Sequence, residues 1–130
     1  MLLDTSGLLA LLDAREPFHQ KACDEYKLAS TRLTHGYVLA ELVALGNARG
    51  VPPDKVLRFV MNLLANPDIE TCWPDQAVTI QALALLLARQ GQGYSLCDAV
   101  SFVLMRARNL QNALSTDHHF DDEGFRRLLA

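Results

Sequence analysis

Hydrophobic positions along the chain fall into two kinds of segment, brief apolar runs and longer stripes at helical spacing. Met1 to Leu3 is a run of the first kind, and Asp4-Thr5-Ser6 directly after it supplies side chains that suit a helix start. Leu8, Leu9, Leu11 and Leu12 then recur at helical spacing. Pro17 suits the first turn of a second helix reaching about Leu28, and Ser30 to Thr34 is a short β-rich stretch that predicts a second strand. Gly36 and Tyr37 lead into VLAELVALGNARG, a helix that Gly50 ends. Pro52-Pro53-Asp54 begins the next, with Val56, Val60, Leu63 and Leu64 as its apolar stripe and Asn66-Pro67 as its break.

The second half repeats the alternation. Ile69 to Trp73 predicts a third strand, and Pro74-Asp75 opens a long helix through Ala82, Leu85 and Leu86 to about Arg89. Gly91 and Gly93 mark a loop, and Ser95 caps the helix LCDAVSFVLMRAR. Asn112 to Thr116 reads as a fourth strand, Phe120 to Glu123 as one helical turn at most, and Phe125 to Leu129 as a fifth strand at the sheet edge. Strands alternating with helices predict an α/β fold, a mostly parallel sheet with helices on both faces. No repeat or linker interrupts the pattern, so residues 1–130 are expected to form one domain.

Composition narrows the class. Half of the residues are hydrophobic and 21% are charged, as in a soluble globular protein, and no apolar run approaches the ~20 residues of a membrane helix. The N-terminus lacks the basic region and cleavage site of a secretory signal, so a cytoplasmic location with no membrane partner is expected. Cys23, Cys72 and Cys97 are odd in number and lack CxxC spacing, which suits buried reduced thiols rather than disulfides or a zinc site. Net charge is −3, which argues against a nucleic-acid partner. With four acids set aside as metal-neutralised, twelve basic residues face eleven acidic ones, and the objection falls away.

Those four acids are Asp4, Glu41, Asp98 and Asp117. In an open parallel sheet, binding sites collect at the carboxyl ends of the strands, and Asp4 and Asp117 follow the first and fourth strands. Each has a plain alternative. Asp4 can cap its helix, Ser95-x-x-Asp98 has the spacing of a capping box, and Asp117 can cap the turn after it. Glu41, flanked at helical spacing by Tyr37, Val38, Ala44 and Leu45, shares a largely apolar face and is harder to explain as surface. Two carboxylates ~4 Å apart repel by roughly 4 kcal/mol at an effective dielectric of about 20, so a cluster of them requires a cation. Hard oxygen ligands suit Mg²⁺ or Mn²⁺, which can activate water for in-line attack on a phosphate.

LLDTSGLLALLD, THGYVLAELVAL, YSLCDAVSFVLMRARN and ALSTDHHFDDEGF, in this order along the chain, resemble the PIN-domain ribonucleases, above all the single-domain toxins of VapBC-type toxin–antitoxin modules. The resemblance implies a single PIN-like domain with a five-stranded sheet in the order 3-2-1-4-5. It implies that Asp4, Glu41, Asp98 and Asp117 are catalytic and ligate Mg²⁺ or Mn²⁺, with Ser6 and Thr116 near the metal or the bound phosphate. It further implies endonucleolytic cleavage of single-stranded RNA (tRNA, rRNA or mRNA) that leaves a 5′-phosphate, a homodimer, and a cognate antitoxin seated in the active-site groove.

Arg106 and Arg108, two to three turns beyond Asp98, are candidates for RNA phosphates or antitoxin carboxylates, or else exposed arginines favoured by the helix dipole. His118 and His119 read as surface histidines beside a helical turn rather than as a general base. The rival function is a catalytically silent module that keeps the fold and acts through protein or RNA binding.

Overall fold

The computed structural model describes residues 1–130. Its elements are β1 (Leu2–Leu3), α1 (Thr5–Leu12), α2 (His19–Leu28), β2 (Leu33–His35), α3 (Gly36–Ala48), α4 (Pro53–Ala65), β3 (Glu70–Cys72), α5 (Gln76–Ala88), α6 (Leu96–Ala107), β4 (Asn112–Leu114), α7 (His119–Asp122) and β5 (Arg126–Arg127). All strand pairs are parallel, in the order β3-β2-β1-β4-β5. The expected α/β architecture is therefore present, strand order included.

Successive side chains of a strand point to opposite faces. Leu2, Leu33 and Ala113 pack on one face with Ala99, Val100, Phe102, Met105 and Phe120, the layer built by α5, α6 and α7. Leu3 and Leu114 face the other way, into Leu8, Leu9, Val38, Leu42, Val56 and Leu63 of α1, α3 and α4. A sheet buried on both faces needs apolar residues at consecutive positions, which is why its central strands read LL and AL with no polar alternation. No helix is long and apolar enough to cross a membrane.

Several boundaries differ from the sequence reading, among them the fourth strand, which ends at Leu114 rather than Thr116. The second strand begins at Leu33 rather than Ser30, because its pairing starts where Leu2 meets Leu33. Pro17 lies in a turn that the His19 N–H closes on the Glu16 carbonyl, so α2 starts two residues later. The fifth strand is regular only over Arg126–Arg127, although the Leu128 and Leu129 amides still donate to Ala113 and Ser115. Within α4, Val56 and Leu63 are buried and Val60 is half-buried, whereas Leu64 faces outward with Leu57 and Met61.

One close approach fixes the start of α1. A Cβ on Gly7 would lie 2.0 Å from the Leu114 carbonyl oxygen, so only glycine lets the first turn of α1 rest on the end of β4. That contact sets Ser6 against Ser115, with their hydroxyl oxygens 3.2 Å apart.

Candidate active site

The carboxyl ends of β1, β2 and β4 lie side by side, and the chain leaves each of them into a helix or a turn that carries an acid. Asp4 follows β1 directly. It occupies the N-cap position of α1 with extended backbone, yet its side chain caps nothing. Its Oδ2 instead accepts a hydrogen bond of 2.7 Å from the Ser115 hydroxyl. The parallel register explains the meeting, since Leu3 pairs with Leu114 and the next residue on each strand is Asp4 or Ser115. Ser115 Oγ also accepts the Asp117 N–H at 3.0 Å, and the Thr116 N–H donates to Ser6 Oγ at 2.9 Å. One buried serine thus ties the acid after β1 to the acid after β4.

Asp98 arrives from a different direction. Ser95 accepts the Asp98 N–H while the Asp98 carboxylate accepts the Ser95 N–H, so the capping box is formed with Asp in place of the usual Glu. The cap does not exhaust the side chain. It engages Oδ2, and the buried residue stands at the α6 N-terminus beside Asp4. Glu41, one and a half turns into α3, is exposed rather than part of an apolar face, and its charge is felt at Asp4. Asp117 is half-buried, and its Oδ1 accepts the His119 N–H at 3.0 Å.

Electrostatics couples three of these groups. Burial, reinforced by the charges of Asp98 and Glu41, pushes the Asp4 carboxyl up to about 7, against the hydrogen bonds from Ser115 and the Thr5 backbone. Cys97 is pushed well above the usual thiol range, first by burial and then by Glu41, Asp4 and Asp98. Three acids from three elements therefore act on the same thiol. No lysine or arginine pairs with Asp4, Glu41, Asp98 or Asp117. The donors are carboxylate oxygens, hard ligands that suit a small divalent cation. Asp117, His118 and His119 place one potential ligand atom each within 4.8 Å of one another.

The remaining candidates divide. Ser6 and Thr116 border the acids through the hydrogen bonds just described. Arg106 does not. It lies at the far end of α6, where its guanidinium donates to the Glu123 carboxylate at 2.9 Å and to the Glu123 carbonyl at 3.1 Å. Arg108 pairs with Glu70. His118 is exposed and bonded to Asp122, as a surface histidine should be. His119 is not a surface residue. Its ring is largely covered, and its Nδ1 lies 3.2 Å from Asp98 Oδ2 and 3.3 Å from Asp117 Oδ1.

Sequence reasoning missed Ser115 altogether and misjudged His119. A signal for Ser115 existed, a lone hydroxyl closing the apolar run of the fourth strand. Its partner became visible only with the strand register.

Comparison with known proteins adds the context. No curated protein sequence matches the chain. Among solved structures, the chain is similar to the VapC20 toxin of Mycobacterium tuberculosis, described as cleaving the sarcin-ricin loop. The TM-score is 0.87 at 26% identity, over 96% of this chain and 95% of that one. The PIN domain family matches residues 1–125. With a five-stranded parallel sheet that gathers acids at its carboxyl edge, the chain belongs to the PIN domain family.

Proposed function

We propose that the chain is a metal-dependent endoribonuclease that cuts single-stranded RNA, and the toxin of a type II toxin–antitoxin pair. The observation that carries this reading is the unpaired charge at the carboxyl edge, where Asp4 is pushed up to about 7 among acids that no lysine or arginine offsets. A fold maintains such a cluster at a cost unless a cation completes it. Asp4, Asp98, Glu41 and Asp117 would hold the ion, Mg²⁺ or Mn²⁺ by the hardness of their oxygens. When bound, the ion supplies a water of lowered pKa and positive charge beside the phosphate under attack.

The chain's own residues do the rest. Ser115 fixes one oxygen of Asp4. The capping box does the same for Asp98. Ser6 and Thr116 border the acids on the substrate side and are assigned to the phosphate. No serine or cysteine is needed as nucleophile, and the raised Cys97 thiol is unsuited to that role.

The likeness to a toxin described as cleaving the sarcin-ricin loop makes such a loop the first RNA to test. An antitoxin partner follows from the same likeness. Exposed apolar side chains, Leu57, Met61 and Leu64 on α4 with Ile80, Leu83 and Leu87 on α5, support a homodimer, which light scattering would reveal.

The decisive experiment is cleavage of single-stranded and loop RNA by purified protein. Cutting is expected with Mn²⁺ or Mg²⁺, and it should be lost with EDTA and reduced roughly 1000-fold in Asp4→Asn or Asp98→Asn. Cleavage that survives both substitutions would overturn the reading.

A further inference from the structure

The acids are supplied by separate elements, and each must present an oxygen in a fixed direction. Ser115 does this for Asp4. For Asp98 and Asp117 the shared partner is His119. Its Nδ1 lies 3.2 Å from Asp98 Oδ2 and 3.3 Å from Asp117 Oδ1, while its backbone N–H donates to that same Asp117 oxygen at 3.0 Å. Asp98 Oδ2 already takes the Ser95 N–H. The imidazole hydrogen-bonds Asp98 Oδ2 and abuts Asp117 Oδ1, which the His119 backbone N–H holds, so the two engaged oxygens meet at one residue. Asp98 Oδ1 and Asp117 Oδ2 are left for another ligand.

The ring itself is held in place. Tyr94 packs edge-on against it with centroids 5.2 Å apart, and Tyr94 in turn packs against Phe102 in the core at 5.1 Å. Gly93 approaches Nε2, to which a Cβ there would be 4.0 Å. A histidine with one nitrogen on a carboxylate and its ring wedged by aromatic packing resembles the outer partners that orient metal ligands in other proteins, whose loss weakens metal affinity about 10- to 100-fold.

We infer that His119 is a positioning residue, bridging Asp98 of α6 to Asp117 of the β4–α7 turn so that both present their free oxygens to the metal. This rests on the metal-dependent reading above and adds to it a residue that touches neither ion nor RNA. Two variants separate the bridge from the packing. His119→Phe keeps a ring against Tyr94 and removes the donor. His119→Asn restores a donor close to the position of Nδ1.

Mn²⁺ binding is followed by the free-ion EPR signal, alongside thermal melting and a split of kcat from KM on a single-stranded oligonucleotide. His119→Phe is expected to melt near wild type yet bind Mn²⁺ about 10-fold more weakly, with the loss in kcat rather than KM. His119→Asn should recover most of the affinity, and pulsed EPR of wild type with Mn²⁺ should show no directly coordinated imidazole nitrogen. Wild-type affinity in His119→Phe, an equal deficit in His119→Asn, or a coordinated nitrogen would each overturn the bridge while leaving the nuclease intact. Wild-type protein that binds no Mn²⁺ would sink the metal reading and this inference with it.

Discussion

Two buried carboxylates, at opposite ends of α6, are treated in opposite ways. Glu123, whose side chain is only 4% exposed, receives Arg89 at 2.7 Å and Arg106 at 2.9 Å. Burial alone would raise its carboxyl, but the hydrogen bonds from Arg106 and Arg89 outweigh that and hold it below the usual range. Asp4 is as deeply buried and receives a serine hydroxyl and no cation, so burial, with a smaller push from Asp98 and Glu41, raises it to about 7. This fold has arginines to spend on a buried acid and withholds them at the carboxyl edge. The contrast separates a carboxylate that fastens elements together from one that awaits a partner outside the chain.

The largest test converts the first region into the second. Replacing both Arg89 and Arg106 by alanine leaves Glu123 buried and unpaired, at an expected cost of about 3 kcal/mol, read from the urea midpoint. The pH response should reverse as well. In wild type the lowered Glu123 carboxyl contributes stability above the ordinary carboxylate range and loses it as pH falls. In the double variant the folded state binds the proton more tightly, so stability should fall as pH rises from about 4. An unchanged midpoint and slope would mean that the arginines are ornaments and that the contrast with Asp4 is false.

A smaller effect runs the other way at Asp4. In metal-free protein its folded pKa of about 7 lies above its ordinary value of 3.8. Between those values the folded chain keeps a proton that the unfolded chain releases. Stability therefore declines as pH rises through that window and levels off above about 7. Asp4→Asn removes the ionisation and keeps an acceptor for Ser115. In EDTA it should gain roughly 2 kcal/mol over wild type at pH 8 and almost nothing at pH 4. Added Mn²⁺ should close the gap by stabilising wild type alone. A gap that does not widen with pH would mean that burial beside the other acids does not hold the proton on Asp4 in the folded chain.

What the sequence allowed, and what it hid, follows the same physics. Asp4 stood out because a charge at a strand–helix seam conflicts with the apolar runs beside it, a local conflict. Asp117 stood out because it follows the fourth strand, whereas Asp98 read equally well as a capping residue. The strand order was also readable, through resemblance in motifs that run along the whole chain. Ser115 and His119 were not, because their meaning lies in contacts between residues far apart in sequence. Ser115 matters through its register with Asp4, more than a hundred residues away, and His119 through Asp98 at the start of another helix. The capping box at Ser95 shows the limit from the other side. Its spacing was read correctly as structural, yet the same carboxylate also stands at the edge with Asp4.

The smallest expected effect marks where pairing ceases to matter. Arg108 reaches Glu70 at 2.5 Å, an ion pair shorter than those at Glu123, but both side chains are about half exposed. Water already screens those charges, and ordering two flexible side chains offsets much of what remains. Arg108→Ala should therefore cost under about 0.5 kcal/mol, and the cost should shrink further at high salt. If it rivalled the loss of the Glu123 arginines, burial would not be what distinguishes the three places. The case for a missing cation beside Asp4 would then lose its physical basis, because an unpaired acid would carry the same consequence wherever it stood. A near-zero result leaves desolvation as the deciding quantity, and makes the unpaired charge at the carboxyl edge the costliest acid in the molecule to keep without a ligand.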